Sequence, residues 1–101
     1  MLISANIDVV RSFGDPLREQ IIEILADGPA CTCHLVADTG AKQPTVSHHL
    51  RFLREAGIIE AEPSGRYTYY RLIPAALESA AQHLNGLAER ARRTAADRRE
   101  C

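Results

Sequence analysis

The clearest helical pattern of the chain lies between Pro44 and Gly57. Apolar residues recur there at i, i+4 and i+7, which is the spacing of one buried helix face: Val46, Leu50 and Leu53. Proline is favoured in the first turn of a helix and glycine just past its end, so the pattern predicts a helix over roughly residues 44–56. The polar residues of this stretch then form a second face that points to solvent.

A shorter apolar segment precedes this helix, from Cys33 to Ala37, and ends at Thr39-Gly40. Two short helices joined by a glycine-containing turn are typical of a helix-turn-helix. The second helix of such a unit lies in the major groove, and the residues near its N-terminus reach base edges. The polar face therefore predicts five DNA contacts on this helix, namely Gln43, Thr45, Ser47, His48 and Arg51.

After Gly57 the pattern changes to that of strands. Residues 58–62 and 66–72 are rich in β-branched and aromatic side chains, and Pro63-Ser64-Gly65 joins them, which predicts a hairpin. A helix-turn-helix followed directly by a hairpin is a winged helix. Arg66, at the tip, is the predicted contact to phosphate or to the minor groove.

Helical patterns also occupy both ends of the chain. Apolar residues recur at positions 3, 7, 10 and 13, and Asp15-Pro16 predicts the start of a second helix that runs to about Ala26. We expect these two to be core helices without functional chemistry. From Pro74 a last helix carries an apolar stripe, which is formed by Leu77, Ala80 or Ala81, Leu84, Leu87, Ala88 and Ala91.

A single small domain has its core from the preceding helices, so this last stripe, with that of the first helix, is expected to meet a second copy of the chain. The predicted fold is mainly α with a small β-hairpin, a winged helix-turn-helix that dimerises through its first and last helices. Residues 1–93 form the DNA-binding and dimerisation domain in this prediction, and residues 94–101 form a polar tail.

Composition narrows the class of protein. The 101 residues suit one domain, and 46% hydrophobic and 25% charged residues are ordinary values for a globular protein. The first residues are too short and too polar for a signal peptide, and no apolar run reaches membrane-spanning length, so we expect a cytoplasmic protein without membrane contact. The net charge of −1 argues against a general nucleic-acid coating protein. The stretch from Lys42 to Arg71 is locally basic, which is sufficient for specific DNA binding.

Two thiols, those of Cys31 and Cys33, lie at the start of the helix-turn-helix. Residues i and i+2 of a helix point in nearly opposite directions. Either Cys31 therefore lies outside the helix as a cap-like residue, or ion binding must unwind the first turn. The free N–H groups of a helix start favour thiolate, the form that binds a soft metal or metalloid. The alternative is a pair of small buried hydrophobic residues.

Together these residues resemble the ArsR/SmtB family of dimeric winged-helix repressors, and the Cys-x-Cys pair is similar to its arsenic-sensing branch. The resemblance covers about residues 5–80 and rests on segments 12–18, 31–35, 43–57 and 65–72, of which Gln-Pro-Thr-Val-Ser-x-His-Leu is the most specific. It implies a dimer that binds a palindromic double-stranded operator and is released when As(III) or Sb(III) binds the thiolates of Cys31 and Cys33. We expect the ligand to draw both sulfurs to one point, which distorts the first helix and tilts the recognition helix.

The sequence leaves open which group is the third ligand of the inducer, beside Cys31 and Cys33. In the arsenic-sensing branch a third cysteine often follows three residues after the second, and here Val36 stands there, so Cys101, His34 or a non-protein ligand remain. This departure keeps Cd, Pb and Zn as alternative inducers. The family's other site, on the last helix, is not matched, because that helix has only His83.

Two functions of other classes remain possible on the residues. One is a thiol redox switch in which Cys31 and Cys33 form a disulfide, although a Cys-x-Cys bridge closes a cramped ring and no thioredoxin-like strand pattern flanks it. The other is a winged helix that binds only proteins. No catalytic constellation is visible in the sequence, so we expect no enzymatic activity and no catalytic cofactor.

Overall fold

A computed structural model describes residues 2–100 of the chain, with side chains from residue 6 onward. Over this range the chain forms five α-helices and three short strands. Their bounds in chain order are α1 (Leu2–Ser12), α2 (Pro16–Ala26), β1 (Ala30–Cys31), α3 (Thr32–Thr39), α4 (Gln43–Glu55), β2 (Ile59–Ser64), β3 (Tyr67–Leu72) and α5 (Pro74–Arg93). No helix of the described part of the chain combines the length and the apolar character that crossing a membrane requires.

The predicted helix-turn-helix is confirmed as α3 and α4. Helix α4 begins and ends within one residue of the predicted bounds, and Val46, Leu50 and Leu53 are its buried residues. Gly40 caps α3 with a left-handed φ of 74°, and Gly57 follows α4 with a φ of 77°. Glycine adopts this conformation without the steric penalty of a side chain, so both helices end where the sequence predicts.

The sheet has three antiparallel strands in the order β1, β3, β2. β2 and β3 are the predicted hairpin, but β2 runs two residues further than expected and β3 begins one residue later. The turn is therefore Gly65-Arg66, since Ser64 pairs with Tyr67. Pro63 thus lies inside β2, where it is tolerated because β2 is an edge strand. β1 was not predicted. It is two residues long and pairs Cys31 with Tyr69, so it ties the start of α3 to the wing.

The hydrophobic core lies between α2, α3, α4 and the base of the sheet. Its fully buried large side chains are Ile21, Leu35, Val46, Leu50, Leu53 and Ile58. Tyr70 packs against this core from β3. Burying each such side chain contributes about 1.5–3 kcal/mol of apolar driving force.

The expectation that α1 is a core helix is wrong for its predicted stripe. Ile7, Val10 and Phe13 are 43–45% exposed, whereas Val9 is the buried apolar residue among residues 6–12 of α1; the position predicted at Ile3 lies outside the described side chains. α1 packs along α5, and the Ser79 hydroxyl donates a hydrogen bond to Asn6 Oδ1 at 3.0 Å. One apolar strip of α1 is therefore left uncovered in the single chain.

The junction of α1, α2 and α4 is held by polar contacts. Asp15 caps α2, as predicted, and its carboxylate accepts the backbone N–H groups of Leu17 and Arg18. Arg18 donates to the last carbonyl groups of α1 and stacks on the Phe52 ring of α4, with 4.1 Å between guanidinium carbon and ring centroid. These contacts set the position of α4 against the N-terminal helices.

Candidate nucleic-acid interface and metal centre

The outward face of α4 presents all five residues that the sequence predicts as DNA contacts. Each of them is exposed, and they occupy the N-terminal two thirds of the helix: Gln43, Thr45, Ser47, His48 and Arg51. Within residues 2–100, Arg51 and its neighbour Arg54 form no ion pair. Their charge is therefore available to an external anion such as phosphate.

The wing carries its charge at the tip. Gly65 has a φ of 61° and Arg66 follows it in the two-residue turn, so the Arg66 side chain extends from the most distant point of the hairpin. Glycine at the first position of such a turn is typical of type II′ hairpins. Arg66 is exposed and forms no ion pair among the described residues.

Arg71, which the sequence counts with the basic stretch, does not add to this positive surface. Its Nε lies 2.7 Å from a carboxylate oxygen of Glu60, and its Nη1 lies 3.4 Å from Glu62 across the hairpin. These carboxylates raise the pKa of Arg71 and neutralise its charge. A groove of about 530 Å³ between α4 and β3 is lined by Arg51 and Arg54. Within the basic stretch, the unpaired arginines are thus Arg51 and Arg54 on α4 and Arg66 at the wing tip.

The two thiols converge at the start of α3. Cys31 has extended backbone angles, φ −90° and ψ 169°, and is the N-cap of α3, while Cys33 lies in the first turn. Their sulfur atoms are 2.8 Å apart, and both cysteines are free. The structure therefore agrees with the first of the two alternatives from the sequence, in which Cys31 lies outside the helix as a cap residue. The expectation that ion binding must distort α3 to bring the sulfurs together is wrong, because the extended residue has already turned its side chain toward Cys33.

His34 joins the two sulfurs to form a cluster of three possible metal ligands whose donor atoms lie within 4.8 Å of one another. Its Nδ1 accepts the backbone N–H of Cys31 at 3.2 Å and lies 3.3 Å from the Cys31 sulfur. The sequence carries a signal for this contact. In a capping box the side chain three residues after the N-cap bonds back to the N-cap N–H, and His34 holds that position. Cys101, the other predicted third ligand, lies outside the described residues.

The pKa values of the two thiols are shifted in opposite directions. The Cys33 thiol lowers the pKa of Cys31 by hydrogen bonding to its sulfur, and backbone N–H groups at the start of α3 act in the same direction. The pKa of Cys33 is raised, because Cys33 donates that hydrogen bond and would ionise beside an existing thiolate. Cys31 is therefore the thiol that ionises first. Cys31 is buried and Cys33 is exposed, so the pair is reached from the Cys33 side.

A cleft of about 310 Å³ connects the thiols with the predicted DNA surface. Its lining includes Cys31 and Cys33 together with Gln43 and Arg66. The donor chemistry fits a soft or borderline ion, since thiolates select soft ions and imidazole suits zinc-like ones, whereas Mg²⁺ or Ca²⁺ would require oxygen ligands. The residues at this position therefore suit a thiophilic metal or metalloid.

The chain is similar to known transcriptional regulators over most of its length. Residues 15–61 match a family described as "Bacterial regulatory protein, arsR family", which spans α2 to the start of the wing. An uncharacterized HTH-type transcriptional regulator from Methanocaldococcus jannaschii is 37% identical over 67 residues, which cover 65% of this chain and 75% of the relative. The arsenical resistance operon repressor of Staphylococcus aureus is 30% identical over 77 residues, which cover 76% of this chain and 74% of the relative.

The fold agrees with these sequence matches. An ArsR-like transcriptional regulator from Rhodococcus sp. RHA1 superimposes with a TM-score of 0.83 and 26% identity, covering 93% of this chain and 90% of that structure. This likeness extends beyond the matched helices to the wing and the terminal helices. The family and these relatives are DNA-binding regulators rather than enzymes. The chain belongs to the ArsR family of winged-helix transcriptional repressors.

Proposed function

We propose that this repressor binds a palindromic operator as a homodimer and is released when trivalent arsenic or antimony binds the thiolates of Cys31 and Cys33. The observation that carries the proposal is the convergence of the two sulfurs, 2.8 Å apart, at a cleft also lined by Gln43 and Arg66. The similarity to an arsenical resistance operon repressor supports the same choice of inducer. The protein acts in the cytoplasm in this proposal, where its thiols stay reduced.

Cys31 and Cys33 supply two thiolates without rearrangement of α3. Cys31 ends β1 and is the N-cap of α3, so its sulfur is held by strand pairing on one side and by the helix on the other. Preorganised ligands lose little conformational freedom on binding. Trivalent arsenic and antimony supply thiophilic centres that thiolates bind, and the exposed Cys33 gives access to the pair.

The coupling to DNA runs through the wing and the cleft rather than through distortion of α3. Cys31 is paired with Tyr69, and β3 leads directly to the turn that carries Arg66. Gln43, the first residue of α4, lines the same cleft. Changes at the thiols thus reach two of the predicted DNA contacts, Gln43 and Arg66. A coupling free energy of about 1–3 kcal/mol changes operator affinity roughly 5- to 150-fold, which is sufficient for a switch.

The uncovered apolar strip of the chain supports the homodimer. Ile7 and Val10 of α1, Phe13 just after it, and Leu84 and Leu87 of α5 are 40–50% exposed although they are large and apolar. Adjacent exposed apolar side chains of this kind mark interaction surfaces. A two-fold dimer built on this strip would place two α4 helices against half-sites about 34 Å apart, one turn of DNA.

The experiment is fluorescence anisotropy of a labelled promoter fragment from the protein's own gene, titrated with protein and then with each ion. Release by As(III) or Sb(III) alone supports the proposal, and release by Cd²⁺, Pb²⁺ or Zn²⁺ keeps the repressor but changes its inducer. Cys31→Ser and Cys33→Ser should bind the operator and lose the response. The matched control Thr32→Ser, between the two thiols, should keep it.

Binding that no ion disturbs would contradict the inducer part of the proposal. Loss of operator binding in the serine variants, with the far-UV circular dichroism unchanged, would mean that the thiols serve DNA binding itself. Absence of salt-dependent DNA binding in the wild type would instead favour a winged helix that contacts proteins, because contacts to phosphate make affinity depend on salt.

A second function, a thiol redox switch, is favoured by the same sulfur–sulfur contact. Cys31 and Cys33 are free, adjacent and accessible through Cys33. Their oxidation by hydrogen peroxide would form one S–S bond, and the two electrons and two protons released from the thiols would reduce the peroxide to two molecules of water. A thiol titration after mild peroxide treatment, with operator binding measured in parallel, separates this function from ion sensing.

A further inference from the structure

His34 is the third member of the cluster at the start of α3, beside the two thiols of the proposed inducer site. Its ring lies close to both sulfurs: the three donor atoms of Cys31, Cys33 and His34 are within 4.8 Å of one another. His34 is exposed, so the ring is open to an incoming ion rather than enclosed in the core. Two sulfurs and one imidazole nitrogen are a common ligand set for zinc-like ions in proteins.

Three contacts hold the His34 ring at this place. Nδ1 accepts the Cys31 N–H, the same nitrogen lies 3.3 Å from the Cys31 sulfur, and the ring centroid is 6.0 Å from that of Tyr69. Tyr69 is the residue with which Cys31 pairs in the sheet. The short β1–β3 ladder therefore positions the sulfur and the imidazole together.

We propose that His34 is the third protein ligand for a divalent ion such as Cd²⁺ or Zn²⁺, and that it sets the ion selectivity of the site. As(III) is held through Cys31 and Cys33 and gains little from His34, whereas a divalent ion uses both sulfurs and the imidazole. This follows from ligand preference, because imidazole suits divalent zinc-like ions and thiolates suit soft ions in general. The inference rests on the proposed function, since it concerns the same site.

Coordination by His34 has a structural consequence that coordination by the two thiols alone does not have. Nδ1 is the ring nitrogen that faces Cys31, and it already accepts the Cys31 N–H. Coordination through Nδ1 replaces that hydrogen bond and leaves the N–H of Cys31, the N-cap residue of α3, without this acceptor. A divalent ion should therefore speed amide hydrogen exchange at Cys31, while As(III) should leave the hydrogen bond in place.

The test compares ion binding by the full chain and by two variants of His34. His34→Gln keeps an acceptor at the capping-box position, because glutamine serves there as glutamate does, but it removes the nitrogen ligand. His34→Cys instead provides a third thiolate. Binding is followed by the sulfur-to-metal charge-transfer absorbance, by competition with a chelator, and by the ring-nitrogen chemical shifts of ¹⁵N-labelled His34 in the wild type.

Removal of His34 should affect the two kinds of ion differently. We expect His34→Gln to weaken Cd²⁺ binding by at least about tenfold, since loss of even a group that only orients a ligand costs that much. Its As(III) affinity should be unchanged. His34→Cys should recover Cd²⁺ binding, and Cd²⁺ should shift the His34 ring nitrogens of the wild type.

Equal Cd²⁺ affinity in wild type and His34→Gln would overturn the proposal, as would unshifted ring nitrogens in the Cd²⁺-bound wild type. Loss of Cd²⁺ binding in Cys101→Ser, with His34→Gln unaffected, would assign the third ligand to Cys101 and also overturn it. The nitrogen shifts need no variant, so the test stands even if His34→Gln fails to fold. Failure of the proposed function looks different, because the operator assay of the wild type would then show no release by As(III) or Sb(III), whatever the Cd²⁺ affinities of the His34 variants.

Discussion

Helices α4 and α5 are both amphipathic and both have proline in the first turn, yet their apolar faces meet different surroundings. α4 buries Val46, Leu50 and Leu53 completely within its own chain. α5 buries only Ala80, and Leu84 and Leu87 stay 50% and 40% exposed. A helical period thus shows that one face avoids water, but it does not show what covers that face.

The polar faces of the two helices differ as well. Arg51 and Arg54 of α4 form no ion pair among the described residues, whereas Arg92 of α5 lies 2.6 Å from Glu89. The basic residues of α5 cluster in its last turn, where they interact favourably with the negative end of the helix dipole. On α4, Arg54 likewise lies in the last turn, whereas Arg51 lies before that turn and has no such internal role, which fits a surface that binds an external anion.

The largest effect is expected for a cavity on the buried side of α4. Leu53→Ala should lower the free energy of unfolding by about 2–5 kcal/mol, because the fully buried side chain leaves a void that the core cannot close. Leu84→Ala makes the same chemical change on α5 and should have little effect when it is measured below the dimer dissociation constant. Urea unfolding followed by circular dichroism measures both, and equal losses would remove the distinction between the two helices.

The next effect concerns the exposed stripe of α5. Leu84→Glu places a charge in the proposed dimer interface and should raise the dimer dissociation constant at least about 30-fold, as loss of a central apolar contact does. Sedimentation equilibrium measures this constant. Gln82→Glu adds the same charge at an exposed position on another side of α5 and should leave dimerisation unchanged. A dimer of undiminished stability in Leu84→Glu would place the interface elsewhere.

A smaller effect is expected on the salt dependence of operator binding, where the unpaired Arg66 should differ from the paired Arg71. Arg66→Ala should reduce the slope of log affinity against log salt by about 0.9, the value for one lost phosphate contact. Arg71→Ala should change the slope much less, because Glu60 and Glu62 already neutralise that guanidinium. Operator anisotropy at several salt concentrations gives both slopes. Identical slopes for the two variants would argue against a phosphate contact by Arg66.

The smallest effect is a pH dependence at the flank of α4. Burial lowers the pKa of His49; its Nε2 lies 3.9 Å from Asp15, and Arg18 and His48 are the nearby cations. Its Nδ1 is buried without a hydrogen-bond partner among the described residues. Since the unfolded chain takes up the proton first, stability should fall as pH drops below about 6.5 toward the lowered pKa. Thermal unfolding at several pH values should show a weaker dependence in His49→Gln, and an unchanged one would exclude His49 as its source.

Much of the recognition unit follows from the sequence because its signals are local. Asp15 as N-cap, Pro44 in the first turn of α4 and Gly57 beyond its end each act on the nearest few residues, so their effect is readable from spacing alone. The buried face of α4 is equally readable. The exposed positions of Gln43, Thr45, Ser47, His48 and Arg51 follow from that face, since a helix has only one other side.

The sensor site depends on contacts between residues far apart in the chain. β1 has two residues, too few for any alternation of apolar and polar positions. It forms because Cys31 pairs with Tyr69 of the wing. The resulting extended backbone at Cys31 turns its sulfur toward Cys33 and brings His34 beside both. The charge of Arg71 is likewise decided across the hairpin, by Glu60 and Glu62.

The sequence by itself determined the order and bounds of the helices, the buried face of α4, and the presence of two thiols beside a DNA-binding surface. Only the tertiary structure decided that the thiols meet without distortion of α3, that His34 joins them, and that the strips of α1 and α5 stay uncovered. The physical reason is the separation along the chain of the residues that each kind of interaction joins. Caps, turns and helical periods act over one or two turns of chain, whereas strand pairing, ion pairs and burial depend on which distant residues fold against each other.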